Sequence, residues 1–224
     1  VTEILSSGLA PAKLEFLDAE TLTCIARHLG ETPPPEGSAL LLVELDGSET
    51  EVSGAMPKVA AVCERRGAEV SAAREPEEQE RLWAMRRAGS PAVARLKPLK
   101  INEDVVVPRG ALPNIMDAIE GLREKHDLLI PVFGHAGDGN LHVNIMCDPA
   151  DAAEYGRAQM ALDELLGAVL ALGGTLSGEH GVGLSKQPFL RRELPEPVIA
   201  LSRRIKRRLD PVNILNPAKI FPEE

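Results

Sequence analysis

No stretch of this sequence approaches the roughly 20 consecutive apolar residues that a membrane-spanning helix needs. The apolar runs near Leu40 and over 162–172 are short or broken by charge. Positive charge is also in short supply: 25 Lys and Arg stand against 34 Asp and Glu, a formal net charge of −9. That balance argues against a nucleic-acid binder. The one basic patch, Arg203-Arg204-Ile205-Lys206-Arg207-Arg208, reads as the solvated side of a helix, because Ile205 and Leu209 recur at helical spacing. Cys24, Cys63 and Cys147 are odd in number and far apart. They form no metal-type pair and suggest a reducing compartment. Secretory leader, internal repeat and low-complexity tract are all missing. So is any Gly-x-Gly-x-x-Gly after a strand, which removes the usual dinucleotide fingerprint. The chain opens at Val1 rather than Met, which suggests a piece of a longer protein. What remains is 224 residues, 44% of them hydrophobic, enough for one sizeable core in one domain or two small lobes.

The most informative stretch is Gly134-His135-Ala136-Gly137-Asp138-Gly139-Asn140-Leu141-His142-Val143-Asn144. Two histidines stand seven residues apart around a glycine-rich turn. The run 142–146 alternates, so it predicts a strand with His142 and Asn144 on one face and Val143 and Ile145 on the other. The apolar run 128–133 predicts the preceding strand, and His135 and His142 can then face one another across a hairpin. A second stretch, Ser177-Gly178-Glu179-His180-Gly181-Val182-Gly183, adds a carboxylate and a third imidazole on a pliable backbone. Two neutral imidazoles and one carboxylate are a recurring ligand set for a catalytic divalent metal. Zinc is the first choice for that set, with manganese and iron behind it.

Along the rest of the chain, periodicity predicts a helix end at 1–9 and strands at 11–18, 39–45, 68–73 and 101–107. The strand at 39–45 reads as buried. Helices are predicted at 20–29, 49–66, 75–88, 112–126, 149–172 and 195–209, and a proline-rich loop at 30–38. Strand–helix–strand thus occurs twice, over 39–73 and over 101–146. The pattern predicts an α+β fold: an antiparallel sheet with helices on one face, of the split βαβ kind, plus additional C-terminal helices.

Each candidate has an ordinary counterpart. A lone histidine is more often structural, but three histidines and an acid in two glycine-rich segments favour a metal or catalytic site. Asp138 competes as a ligand, although Asp-Gly favours tight turns and the turn reading is preferred. His180 is a natural general base beside a metal-bound substrate oxygen. The reverse assignment, His180 as ligand and Glu179 as base, stays open. Arg86 shares a helix face with Trp83 and suits a substrate carboxylate, yet surface Arg-Arg pairs are common. Lys100 is weaker still on spacing alone, and Asn216-Pro217-Ala218-Lys219 reads as an ordinary turn. The same ligands would serve a metal-dependent hydrolase, and the fold pattern would serve a non-catalytic ferredoxin-like small-ligand-binding domain.

Phe133 to His142, then 177–183, then Asp210-Pro211 with Asn216-Pro217-Ala218-Lys219-Ile220 resemble the C-terminal domain of FAD-linked 2-hydroxy-acid dehydrogenases, within the vanillyl-alcohol-oxidase flavoprotein superfamily. That group includes the glycolate oxidase FAD subunit, D-lactate dehydrogenase and D-2-hydroxyglutarate dehydrogenase. The resemblance covers residues 1–224 and implies a ferredoxin-like cap domain with added helices. It implies His135, His142 and Glu179 as metal ligands. Asn144 and His180 would meet a small 2-hydroxy acid, with His180 taking the hydroxyl proton. Arg86, Ser90 and Lys100 would bind the substrate carboxylate. Asn216 would lie on a tail that returns toward the flavin. It further implies FAD, held mainly by an N-terminal domain absent from this chain, so the chain alone is expected to be inactive. An electron-transfer partner and a cytoplasmic location, at most peripheral to the inner membrane, complete the expectation.

Overall fold

The computed structural model describes residues 1–35 and 37–221. The elements run α1 (Thr2–Ser6), β1 (Lys13–Leu17), α2 (Ala19–Leu29), β2 (Leu40–Glu44), α3 (Glu49–Glu64), α4 (Pro76–Val93), β3 (Leu99–Val106), α5 (Leu112–His126), β4 (Val132–His135), β5 (Asn140–Cys147), α6 (Ala152–Ala171), α7 (Leu190–Glu193) and α8 (Glu196–Leu209). The strands form one sheet in the order β2-β1-β4-β5-β3, antiparallel throughout. This is the expected α+β architecture. Strands β3 and β4 run parallel, are joined through α5, and receive β5 between them, which is a split βαβ unit.

Local chemistry sets the boundaries. Asp18 caps α2 by accepting from the Thr21 N–H, and Gly30 closes the helix in the left-handed region. Ser48 and Glu51 form a reciprocal capping box at the start of α3. Ile115, Ile119 and Leu122 give α5 the apolar stripe expected of it.

Because side chains alternate along strands, the sheet has two distinct faces. Leu14, Val105, Val132, Leu141, Val143 and Ile145 meet α5 and α6 on one face, and with Ile119, Leu165 and Val169 they make the main core. Burying each such side chain contributes about 1.5–3 kcal/mol. On the other face, Leu17, Leu42, Phe133 and Met146 pack beneath Ile25 of α2 and Val93 of α4. The remainder of that second face is polar. Glu15, Asp104, His135, His142 and Asn144 lie on it, beside the α2–α4 layer.

Helices cover both faces of the sheet rather than one, α5 and α6 on one side and α2 and α4 on the other, and the structure differs from expectation in four further places. Residues 68–73 form no strand; they are a largely exposed link into α4, without a neighbouring strand to pair with, so the first strand–helix–strand repeat is absent. Strand β2 is a half-buried sheet edge rather than a buried strand. Strand β4 begins at Val132 rather than at 128. Leu129 and Pro131 already accept from Met146 and Asn144 of β5, but Pro131 has no N–H with which to extend a ladder. Helix α4 runs past 88 to Val93 and carries Pro91 in its last turn.

Candidate functional site

The hairpin between β4 and β5 places His135 opposite Asn140 and Phe133 opposite His142. The His135 and His142 rings then meet edge to face, with centroids 5.4 Å apart. The turn 136–139 that allows this depends on Gly139, whose φ is +77° and whose hydrogen faces the Val107 carbonyl where a Cβ would sit 2.1 Å away. Asp138 lies in this turn, its N–H donating to the His135 carbonyl, and is not among the gathered ligand atoms.

Glu179 and His180 arrive from the segment after α6, held by a residue that sequence reasoning did not single out. The Asp104 Oδ2 accepts from the backbone N–H groups of Gly178, Glu179 and His180 at 3.0, 2.7 and 2.8 Å. Its Oδ1 accepts from the Asn140 side chain at 2.8 Å. Burial works to raise the carboxyl pKa, but these donors, the His180 N–H first, outweigh it and hold Asp104 at about 2. Close approach requires Gly178: a Cβ there would lie 1.9 Å from Asn140 Nδ2. One signal of Asp104 was present in the sequence. Adjacent acids, Glu103 and Asp104, inside an apolar strand put one carboxylate on each face, and each then needs a partner. The partner of Glu103 is the buried Lys186, whose Nζ is 3.6 Å away and also donates to the Asp104 carbonyl.

Single donor atoms of His135, His142 and Glu179 lie within 4.8 Å of one another, so the chain brings together the three predicted metal ligands. His135 Nε2 is 3.5 Å from Glu179 Oε1. Burial lowers the pKa of His142 and so favours the neutral ring that a cation needs. His142 Nδ1 is buried and has no hydrogen-bond partner. This donor set fits a divalent cation of the zinc type. The ligand atoms of a second trio, Asp104, His142 and His180, also lie within 4.8 Å of one another. Its carboxylate, however, already accepts four N–H groups, which leaves little lone-pair density for an ion. The His180 ring stacks on His142 at 5.4 Å and 14°, next to the trio and exposed.

The other predicted residues are distributed as follows. Asn144 is fully buried on β5, donates to the Pro131 and His142 carbonyls, and keeps Oδ1 without a partner. Ser90 and Lys100 meet, with Nζ donating to Oγ at 3.0 Å, and burial lowers the Lys100 pKa. Lys100 pairs in register with Met146, four residues along β5 from His142. Arg86 reaches the cluster through Glu15, a second residue that sequence reading missed. Asn216 does not join the cluster. It sits exposed at φ +47° on a tail organised by Asp210, which accepts from the N–H groups of Ile214 and Leu215, and by the Ile220 N–H donating to the Gly183 carbonyl.

The family model for FAD linked oxidases, C-terminal domain, matches residues 1–220. The chain belongs to this family. It is 40% identical over its whole length to the glycolate oxidase subunit GlcD of Bacillus subtilis, of which it covers 48%. It is 33% identical over 99% of its length to GlcD of Escherichia coli K12, covering 45% of that protein. A probable mitochondrial D-lactate dehydrogenase of Danio rerio is 31% identical over 98% of the chain and is covered to 44%. The chain therefore spans about half the length of the curated relatives it matches. Among solved structures, p-cresol methylhydroxylase with substrate bound shares the fold, with a TM-score of 0.66 at 17% identity over 92% of this chain and 45% of that one. Among the described residues no helix is long and apolar enough to cross a membrane.

Proposed function

We propose that residues 1–224 form the substrate- and cation-binding domain of an FAD-linked oxidoreductase that converts a 2-hydroxy acid, such as glycolate or D-lactate, to the 2-oxo acid. The observation that carries this reading is the convergence of His135, His142, Glu179 and His180 on one open patch in a chain of this family. FAD is held mainly by residues beyond this chain. When bound, flavin supplies the hydride acceptor, and a cation on His135, His142 and Glu179 supplies Lewis acidity toward the substrate oxygens. Zinc suits those donors first, then manganese or iron.

The chain's own residues bind and orient. Arg86, Ser90 and Lys100 hold the substrate carboxylate and His180 accepts the hydroxyl proton on a ring nitrogen, whereas Asn144, fully buried and donating to the Pro131 and His142 carbonyls, braces the strand beside His142 instead of meeting the substrate. Asp104 fixes the backbone on which His180 and Glu179 stand. The exposed apolar stripe of α8 (Val198, Leu201, Ile205 and Leu209) and the tail bearing Asn216 face the flavin-bearing part of the protein. Electrons leave to a separate acceptor protein, with the enzyme cytoplasmic or peripheral to the inner membrane.

The test uses the natural full-length protein with an electron-accepting dye. Glycolate or D-lactate should bleach the flavin and reduce the dye, and cation removal should suppress both. Hydrolysis of ester or amide substrates without any dye reduction would contradict the reading and favour a metal-dependent hydrolase.

A further inference from the structure

Glu15 stands in cross-strand register with His135, on the centre of the polar face, and its side chain is only 8% exposed. Both of its oxygens are used. Oε1 lies 2.6 Å from His135 Nδ1. Oε2 accepts from Arg86 Nε and lies 2.8 Å from Arg86 Nη2, and the guanidinium is itself seated 5.0 Å from the Phe133 ring centroid. One buried carboxylate therefore touches His135, a proposed cation ligand, on one side and Arg86, proposed to take the substrate carboxylate, on the other.

Resting on the function proposed above, we infer that Glu15 is a positioning residue that locks the cation end and the substrate-carboxylate end of the site into one unit. A neutral imidazole bonded to a carboxylate through Nδ1 carries its proton there, so the Nε2 lone pair is the one presented on the side of Glu179. That fixes both the tautomer and the ring plane of His135. On the other side, Glu15 takes the Nε edge of Arg86 and sets the direction in which the rest of the fork points. A purely structural ion pair would not need this arrangement, since apolar residues of similar volume commonly serve a core equally well. Here the three polar groups form a continuous chain, from α4 through β1 to β4, ending at the cation ligands.

The test is made on the natural full-length protein stripped of metal. Co²⁺ binding is titrated against a chromophoric chelator, and the His135 tautomer is read by ¹⁵N NMR. In wild type, neutral His135 should be the Nδ1–H tautomer. Glu15→Gln can accept from His135 or from Arg86 but carries no charge for either. It should weaken Co²⁺ binding about 10–100-fold, the usual effect of losing a partner behind a metal-bound histidine. It should also populate both tautomers and raise the KM for whichever 2-hydroxy acid reduces the dye. Glu15→Asp, one methylene shorter, should show the same losses and covers the case in which the glutamine variant folds poorly. His135→Ala should lose Co²⁺ binding altogether. Wild-type Co²⁺ affinity in Glu15→Gln or Glu15→Asp, with His135→Ala still deficient, would overturn the inference while leaving the proposed function standing. An Nε2–H tautomer in wild type would overturn it without any variant. Undiminished binding in His135→Ala would instead remove the cation assignment itself.

Discussion

Asp104→Ala is expected to lower stability by about 3–4 kcal/mol and to abolish most turnover in the full-length protein. The carboxylate has no solvent exposure and terminates four hydrogen bonds, three of them from consecutive backbone N–H groups of Gly178, Glu179 and His180. Charge-assisted bonds of this kind contribute about 1.5–3 kcal/mol each, but they share one acceptor and do not add. Alanine leaves the three donors facing a cavity, so the segment must move toward water and carry Glu179 and His180 with it. Asp104→Asn makes a useful companion. Asn140 Oδ1 is buried without a partner, so Asn140 can turn its amide and accept from an asparagine at 104. The network then survives without its charge, and the loss should be clearly smaller than for alanine. Thermal melting and turnover of the two variants check this ordering. A wild-type melting temperature for Asp104→Ala would show that the 178–180 segment is held elsewhere.

His180→Ala should leave stability nearly unchanged, because the ring is exposed, and lower kcat by about 10²–10⁴-fold, the range for a positioned acid or base. The substrate proton leaves only as the transition state is reached, so loss of its acceptor appears in kcat, while KM stays within a few-fold of wild type. Steady-state kinetics with the cation site confirmed full decide the matter. A raised KM with normal kcat would make His180 a binding residue and shift the base to Glu179, the assignment that the sequence left open.

How much of this was legible in the sequence depended on the range of the interaction. Helix α5 was readable because its apolar period, its entry after Pro108 and its end at His126 are all local. The hairpin was readable because Gly139 and alternation over 142–146 act within a dozen residues. The strand expected at 68–73 failed for the opposite reason: a strand is completed by its neighbours, and no strand pairs with that segment. Pro131, which has no N–H to give a ladder, is the local signal against starting β4 at 128.

The site divides in the same way. His135, His142, Glu179 and His180 stand in two glycine-marked motifs and were recognised as a group. Glu15 and Asp104 carry no motif. Glu15 acquires its meaning from His135, 120 residues away, and Asp104 from Glu179, 75 residues away. Only the sheet order, with β1 beside β4 and β3 beside β5, brings those pairs together. Buried acids in otherwise apolar strands were the available clue, since a carboxylate in a core must be matched by donors or cations.

If His135, His142 and Glu179 hold one divalent cation as proposed, the ion is countable. Elemental analysis of the full-length protein, stripped, reloaded with zinc and dialysed, tests that assignment most directly. About one zinc per chain is expected in wild type and close to none in His142→Ala, because two remaining protein ligands are too few. Equal zinc in both proteins, or none in wild type after reloading, would contradict it.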